Sequence, residues 1–167
     1  DRVHKTVIDL IYEYEELTDN AHVTVRKDLF PVGRLDIDTE GLLIITNDGD
    51  LAHRLLSPKH HVNKMYFARL DNPVTQEDVE LFANGFKVDE ELTAMPSKLE
   101  ILKDNKEAFI TIQEGKFHQV KRMFEAVGKE VQYLKRISMG PIVLDDSLHV
   151  GECRRLTEEE INLLKNV

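Results

Sequence analysis

Residues 32–50 read VGRLDIDTEGLLIITNDGD, and this stretch decides how the chain is organised. Its first half has no clean period and contains Gly33, so we predict a loop over residues 28–40. Its second half, residues 41–46, is a short apolar run typical of a buried strand. A glycine, an arginine and two carboxylates therefore lie in a loop that leads into a rigid strand, where catalytic groups are often found.

The rest of the chain predicts strands interrupted by helices at irregular intervals. After a turn at residues 47–49, Asp50 is expected to cap a helix over residues 51–56. Further strands are predicted at residues 64–70, 97–102, 108–112, 131–137 and 141–144. Further helices are predicted at residues 5–14, 76–84 (opened by a Thr75–Asp78 capping box), 117–127, and after a Thr157–Glu160 capping box that would bury Ile161 and Leu164. This order predicts an α+β fold with a mixed or antiparallel sheet flanked by helices.

The composition is that of an ordinary globular chain. Its 167 residues, 41% of them hydrophobic, suffice for one domain or for two small lobes around a cleft. No stretch has the length of a membrane span, and the first residues do not resemble a signal peptide. The single cysteine, Cys153, excludes an intrachain disulfide, so we expect a reducing, cytoplasmic location.

The net charge of −9 argues against nucleic acid as a partner, but binding depends on where the charges lie. Residues 116–136 carry six lysines and arginines against two glutamates. Taken alone, the charge pattern favours a solvated helix face and strand end over a binding surface.

Two readings of the loop follow from its residues. Asp36 and Asp38 begin like a calcium loop, but Asn47 stands where the closing acidic ligand belongs, so we reject that reading. The same two aspartates could hold magnesium in a phosphatase. The residues before Asp36 do not form the hydrophobic strand that such an enzyme needs, which makes this an alternative of a different class. His53, His60 and His61 lack a third ligand at metal spacing.

A third reading comes from several elements in a fixed order. They are GRLD at residues 33–36, DTEGLL at 38–43, TNDG at 46–49, KMY at 64–66, EGKFHQVKRMF at 114–124, ISMG at 137–140 and GECRRLT at 151–157. Together they resemble the signature of the pseudouridine synthases of the RsuA branch. The resemblance implies the pseudouridine synthase fold, with a catalytic cleft and isomerisation of a uridine in ribosomal RNA by base flipping.

The resemblance also implies roles for individual residues. Asp36 is the catalytic carboxylate, Lys121 its basic partner, and Tyr66 lies against the flipped uracil. The expected substrate-binding residues are Gly33, Arg34, Thr39, His118, Gln119 and Arg122. No cofactor and no metal are expected, because the isomerisation neither oxidises nor hydrolyses anything.

Within the branch, the elements at residues 57–61 and 118–121 resemble the 16S rRNA enzyme more than its 23S relatives. The expected partner is then ribosomal RNA in a small-subunit assembly particle, and the resemblance to the family implies a monomer. A 23S rRNA enzyme and a non-catalytic RNA-binding or ribosome-assembly module remain alternatives. Members of this branch begin with an RNA-binding domain of the S4 type. Residues 1–167 are therefore expected to be the catalytic domain without that N-terminal part.

Overall fold

The computed structural model describes residues 6–11 and 28–167. The strands are β1 (Phe30–Pro31), β2 (Glu40–Gly41), β3 (Ile45–Thr46), β4 (Lys64–Leu70), β5 (Phe86–Lys87), β6 (Thr93–Ala94), β7 (Lys98–Ile101), β8 (Glu107–Ile112), β9 (Val131–Met139) and β10 (Ile142–Val143). The helices are α1 (Gly49–Leu56), α2 (Gln76–Asn84), α3 (Gln119–Ala126) and α4 (Glu158–Leu164), with a 3₁₀ turn at Pro58–His60. Residues 7–11 are also helical, and the other positions of the helix predicted over residues 5–14, apart from residue 6, lie outside the described residues.

The main sheet has the order β10-β9-β4-β8-β7, and β2 pairs with β9 beside β10. All of its pairings are antiparallel except the parallel contact of β2 with β9. Two small antiparallel strand pairs, β1–β3 and β5–β6, lie outside the main sheet. A mixed sheet flanked by helices confirms the α+β class predicted from the sequence.

The core consists of two clusters of buried side chains. The first packs α2 and α3 on the main sheet around Phe82, Ile110 and Phe124, all of which are fully buried. The second joins α1, β10 and α4 to the loop before Asp36, with Leu55 and Val32 at 0% exposure. Strand β9 contributes Leu134 to the first cluster and Met139 to the second, so this strand connects them.

The sequence predicted the correct start of a helix where a nearby side chain caps the free backbone N–H groups of its first turn. Thr75 accepts from the backbone of Asp78 while Asp78 accepts from that of Thr75, so the predicted capping box opens α2. Thr157 and Glu160 form the same reciprocal pair at α4. The strand predicted at residues 64–70 is confirmed as β4.

Three local predictions were wrong. Residues 41–46 are not one strand, because the backbone changes partner from β9 at Gly41 to β1 at Ile45. Asp48, and not Asp50, caps α1, since its carboxylate accepts from the backbone of Leu51. Ile161 is 43% exposed, and of the two residues predicted to be buried by the last helix, Leu164 is the one in the core.

Helix α3 also begins two residues later than predicted. His118, its N-cap, has φ 51°, in the left-handed region, so regular helix cannot include it. Residues 116–136 do not form one solvated face either. Lys129 is buried in an ion pair with Asp78, and Arg136 is 3% exposed within the sheet.

Candidate active site

The loop that carries Asp36 is held at both ends. At its start, the backbone of buried Val32 donates to the carbonyl of Ile44 at 2.8 Å. Between these ends, the amide of Thr39 donates to the carbonyl of Asp36 at 2.9 Å and closes a turn. The carboxylate is thereby presented from a short turn anchored to two strands.

The far end of the loop enters the sheet at Gly41, which pairs in parallel with Arg136. Gly41 has φ 113°, and a Cβ atom there would lie 2.2 Å from the carbonyl oxygen of Arg136. Two further hydrogen bonds fix this junction at 2.8 Å, from the Leu42 amide to the Arg136 carbonyl and from Arg136 Nε to the Leu42 carbonyl. Glycine is required because no side chain fits between these two backbones.

Asp36 faces a cavity with two connected parts. The inner compartment, of about 120 Å³, is bounded by the loop, by β4 at Tyr66, by α3 at Lys121 and by β9 at Arg136. The outer compartment, of about 540 Å³, shares nine lining residues with the inner one and opens past exposed Phe117. A small compartment therefore lies beside a larger one that reaches the exposed surface at Phe117.

Lys121 bridges two carboxylates. Its Nζ lies 3.4 Å from Asp36 Oδ2 and makes a shorter contact with Asp38 Oδ1. Burial lowers the pKa of Lys121, but the hydrogen bond to Asp38 and the charge of Asp36 outweigh it, so the pKa is raised. The hydrogen bond from Lys121 also lowers the pKa of Asp38. The resemblance suggested Asp36 as the partner of this lysine, and the structure adds Asp38 as the closer one.

His118 is the second neighbour of the Asp36 carboxylate. Its Nε2 lies 3.5 Å from Asp36 Oδ1, and its ring stacks on Phe117 with centroids 3.8 Å apart. The left-handed backbone of His118 precedes α3 and aims the imidazole back at the loop. Asp36 thus has one nitrogen-bearing side chain beside each carboxylate oxygen, Lys121 at Oδ2 and His118 at Oδ1.

Most of the predicted site residues line this cavity. Tyr66 does so from the same β-strand as Lys64. Gly33, Arg34, Thr39, His118 and Gln119 also line it. Gln119 is 3% exposed, and its oxygen accepts from the Lys116 amide at 3.1 Å, so it braces the turn before α3.

Arg122 is not part of the cavity lining. Its guanidinium makes two hydrogen bonds to Asp89, at 2.7 and 2.8 Å, and a third to the carbonyl of Phe117 at 2.9 Å. The hydrogen bond from Arg122 lowers the pKa of Asp89 to about 2. Arg122 therefore fixes the Phe117 turn from behind.

Sequence reasoning missed four residues that line the cavity. Lys64, Lys116 and Arg136 bring positive charge, and Phe117 brings an aromatic ring that is 76% exposed. One signal was available for Lys64, which falls at the same alternate positions of its strand as the buried residues Ala68 and Leu70. Within residues 6–11 and 28–167, no group of three or more His, Cys, Asp or Glu side chains could hold a metal ion.

The family model for RNA pseudouridylate synthases matches residues 3–126, and the chain belongs to this family. It is 47% identical over 167 residues to the RNA pseudouridine synthase YtzG of Bacillus subtilis, covering 98% of the chain and 66% of that protein. It is 47% identical over 134 residues to ribosomal small subunit pseudouridine synthase A of Escherichia coli, covering 80% of the chain and 58% of that protein. The chain thus spans 58–66% of the length of these two relatives.

Solved structures agree with this assignment. A pseudouridylate synthase crystal structure matches with a TM-score of 0.78 and 45% identity, over 82% of this chain and 60% of the other. The archaeal box H/ACA sRNP Nop10–Cbf5 complex matches with a TM-score of 0.56 at 18% identity, over 86% of this chain and 46% of the other, which shows a shared fold. In the part of the chain that the structure describes, no helix is both long enough and apolar enough to span a bilayer.

Proposed function

We propose that this chain isomerises a uridine of 16S rRNA to pseudouridine, with Asp36 as the reacting carboxylate. The observation that carries the proposal is the charge of the cavity. Among the described residues that line its two compartments, Asp36 is the single carboxylate. The lysines and arginines lining it are Arg34, Lys64, Lys116, Lys121 and Arg136.

This distribution reconciles the acidic chain with an RNA substrate. The net charge is −9, yet the cleft concentrates cations around one acid. Lysines and arginines that face RNA phosphates supply the favourable, salt-dependent part of the binding energy. A local field of this kind, and not the sum of charges, decides where a polyanion binds.

The reaction begins with cleavage of the bond between ribose C1′ and uracil N1. Asp36 can take part as a nucleophile at C1′ or as a base that removes the C2′ proton. Either role needs an ionised carboxylate close to the ribose. Lys121 supplies a positive charge 3.4 Å from it, and the imidazole of His118 lies 3.5 Å away on the other side. The raised pKa of Lys121 keeps that residue protonated at neutral pH.

The two compartments suit a flipped nucleotide. A uridine turned out of its stack would place its base in the inner compartment, where Tyr66 offers a ring face and a hydroxyl. The outer compartment would take the flanking nucleotides, beside exposed Phe117 and Lys116. Base–aromatic stacking and phosphate contacts are the usual means of holding single-stranded RNA.

The small-subunit assignment rests on likeness to named relatives. Enzymes called ribosomal small subunit pseudouridine synthase A, from Escherichia coli and two Vibrio species, are 46–47% identical to this chain. Their name supports RNA of the small ribosomal subunit as the substrate here. We propose that this chain meets that 16S rRNA in a cytoplasmic assembly particle. YtzG, which matches over more of the chain, has a name that specifies RNA alone.

The test is to incubate the chain with unmodified 16S rRNA in a partly assembled particle, in the presence of EDTA. Pseudouridine is mapped by carbodiimide modification and reverse-transcription stops. We expect one new stop with the wild type and none with Asp36→Asn. General acid–base or nucleophilic groups contribute roughly 10²–10⁴-fold, so the residual rate should fall below detection.

Asp38→Asn is the matched control, because Asp38 is the second carboxylate on Lys121 but does not line the cavity. We expect this variant to keep most of the activity. The magnesium-phosphatase alternative predicts the opposite, since it needs both carboxylates and is stopped by chelator. The Lys121 ammonium already lies between these two carboxylates, at the position where the phosphatase would need a metal.

If neither 16S nor 23S rRNA acquires a stop, the non-catalytic binding module becomes the better reading. In that case Asp36→Asn should bind RNA as tightly as the wild type. A stop in 23S rRNA alone would move the substrate to the large subunit and leave the chemistry unchanged.

A further inference from the structure

Two buried cations on the inner side of the cavity each keep a side-chain nitrogen without a hydrogen-bond partner in the described part of the chain. Lys64 and Arg136 are each 3% exposed. Lys64 Nζ and Arg136 Nη2 make no hydrogen bond there, and neither does the hydroxyl of Thr39, which lines the same compartment. A charge removed from water is costly unless an opposite charge or a set of acceptors replaces the lost hydration.

The sheet brings these two cations to Tyr66. Lys64 and Tyr66 are two residues apart on β4 and share a face, while Tyr66 lies opposite Arg136 on β9. The register between β4 and β9 shifts at this point, so β9 carries an extra residue beside Tyr66. Such a bulge redirects side chains, and here Arg136 lines the compartment that holds the tyrosine ring.

The protein does not supply the missing anion. Glu114 is the acid whose charge acts on Lys64, but its Oε2 accepts from the Met95 amide at 2.6 Å. Burial first, and the charge of Arg136 second, lower the pKa of Lys64, and Glu114 only partly opposes them. Asp36 is already flanked by Lys121 and His118. The positive charges of Lys64 and Arg136 therefore repel each other, and the unpartnered nitrogen of each can donate to an acceptor on a ligand.

We propose that Lys64 Nζ and Arg136 Nη2 form an anion-binding subsite that holds the carbonyl oxygens of the uracil while it is detached from the ribose. This inference rests on the proposed isomerase function. When the C1′–N1 bond breaks, its electron pair stays on N1 and spreads onto O2 and O4. C1′ is then bonded to an Asp36 oxygen, or Asp36 has taken the C2′ proton.

The base next turns, C5 bonds to C1′, C5 loses its proton and N1 gains one, so the product has the atoms of the substrate. Where Asp36 has bonded to C1′, it leaves as C5 arrives; where it has taken the C2′ proton, it returns it. The full negative charge on the base exists only between these two steps. Two cations that are already in place, and that lack hydrogen-bond acceptors before cleavage, stabilise the detached uracil anion more than they stabilise the bound uridine.

A backbone phosphate is the other source of an anionic oxygen. The position of Arg136 favours the base, because it lines the inner compartment with Tyr66 and does not line the outer one. Lys116 is exposed at the mouth and is the better placed cation for a phosphate. It serves as the matched control.

The experiment compares Lys64→Met with Lys116→Met in single-turnover reactions on RNA containing uridine or 5-fluorouridine at the target. Fluorine makes the base a better leaving group, so it needs less stabilisation. For Lys64→Met we expect the rate constant on uridine RNA to fall roughly 100-fold, as for loss of one oxyanion donor. The RNA dissociation constant should stay within about twofold, as expected for a group that acts only in the transition state.

On fluorinated RNA, cleavage is followed by the disappearance of 5-fluorouridine in nuclease digests, and the loss for Lys64→Met should shrink to less than about tenfold. For Lys116→Met we expect weaker RNA binding, and any loss of rate should be the same on both RNAs, because this lysine would contact a phosphate and not the base. Lys64→Gln is the second variant, should the methionine variant fail to fold, and circular dichroism checks both.

An unchanged rate with Lys64→Met, the same fractional loss on both RNAs, or weaker binding with an unchanged rate would each overturn the subsite. The last of these results would assign Lys64 to a phosphate. Failure of the underlying function is a separate result, since it appears as no pseudouridine with the wild type.

Discussion

Substituting Gly41 by alanine tests how the catalytic loop is attached to the sheet. The new Cβ would lie 2.2 Å from the Arg136 carbonyl oxygen and 2.5 Å from its amide nitrogen, both backbone atoms. The residue would also keep φ 113°, which costs about 1–3 kcal/mol for a side chain other than glycine. Relief of the contact requires β2 to move away from β9.

That movement breaks two hydrogen bonds of 2.8 Å between Leu42 and Arg136. Each is worth about 1 kcal/mol, and more where a buried partner is left unsatisfied. We therefore expect Gly41→Ala to lower the free energy of unfolding by about 3–5 kcal/mol, a large share of the 5–15 kcal/mol typical of a domain. The rate of uridine isomerisation should fall as well, because Asp36 lies five residues before this junction.

Urea unfolding followed by circular dichroism measures the first effect, and single-turnover conversion measures the second. Gly49→Ala is the control, since a Cβ at Gly49 would meet nothing within 4 Å. Its stability should stay within about 0.5 kcal/mol of the wild type. If Gly41→Ala loses less than about 1 kcal/mol, the parallel β2–β9 contact does not anchor the loop as the geometry indicates.

Two further predictions concern the mouth of the cleft and the last helix. Phe117→Ala should weaken RNA binding by about 1–3 kcal/mol without changing the fold, because its ring is 76% exposed and offers a stacking face. Filter binding measures the RNA dissociation constant, and unchanged affinity would exclude a stacking role. Hydrogen bonds from Arg154 and the Thr157 backbone lower the pKa of Glu160 from 4.5 to about 2. The stabilisation from Glu160 is therefore complete above pH 4.5 and is lost as pH falls towards 2. The difference in Tm between wild type and Glu160→Gln should thus be largest near pH 6 and shrink by pH 3, and a difference that is the same at both pH values would contradict the assigned cause.

The parts of the fold that were predicted correctly depend on nearby residues. The capping boxes at Thr75 and Thr157 can be recognised because both partners lie within one helical turn. The apolar run at residues 41–46 gave no sign that its backbone changes partner, because that depends on β9, about 90 residues away. The small β5–β6 hairpin was missed for a similar reason, since two-residue strands carry no periodicity.

In the candidate site, too, the sequence predicted features carried by a local motif and did not predict those that depend on distant strands. The motif around Asp36 led to residues that the structure does bring together, with Tyr66 and Lys121 on the walls of one cavity. The burial of Arg136 could not be predicted, because its exposure depends on strands that are distant in the sequence. The basic segment at residues 116–136 was wrongly predicted to be a solvated surface, because closeness in the sequence did not mean a shared environment. Some of its lysines and arginines line the cleft, whereas Lys129 and Arg122 form ion pairs with Asp78 and Asp89.

The left-handed backbone of His118 has a consequence for how this protein can evolve. A residue other than glycine or asparagine gives up about 1–2 kcal/mol in this conformation. Selection for thermal robustness alone would favour glycine or asparagine here. Either one would remove the imidazole that lies 3.5 Å from the carboxylate of Asp36. On the proposed function, stability and activity therefore place opposite demands on position 118, and consensus-based stabilisation of this domain should leave it unchanged.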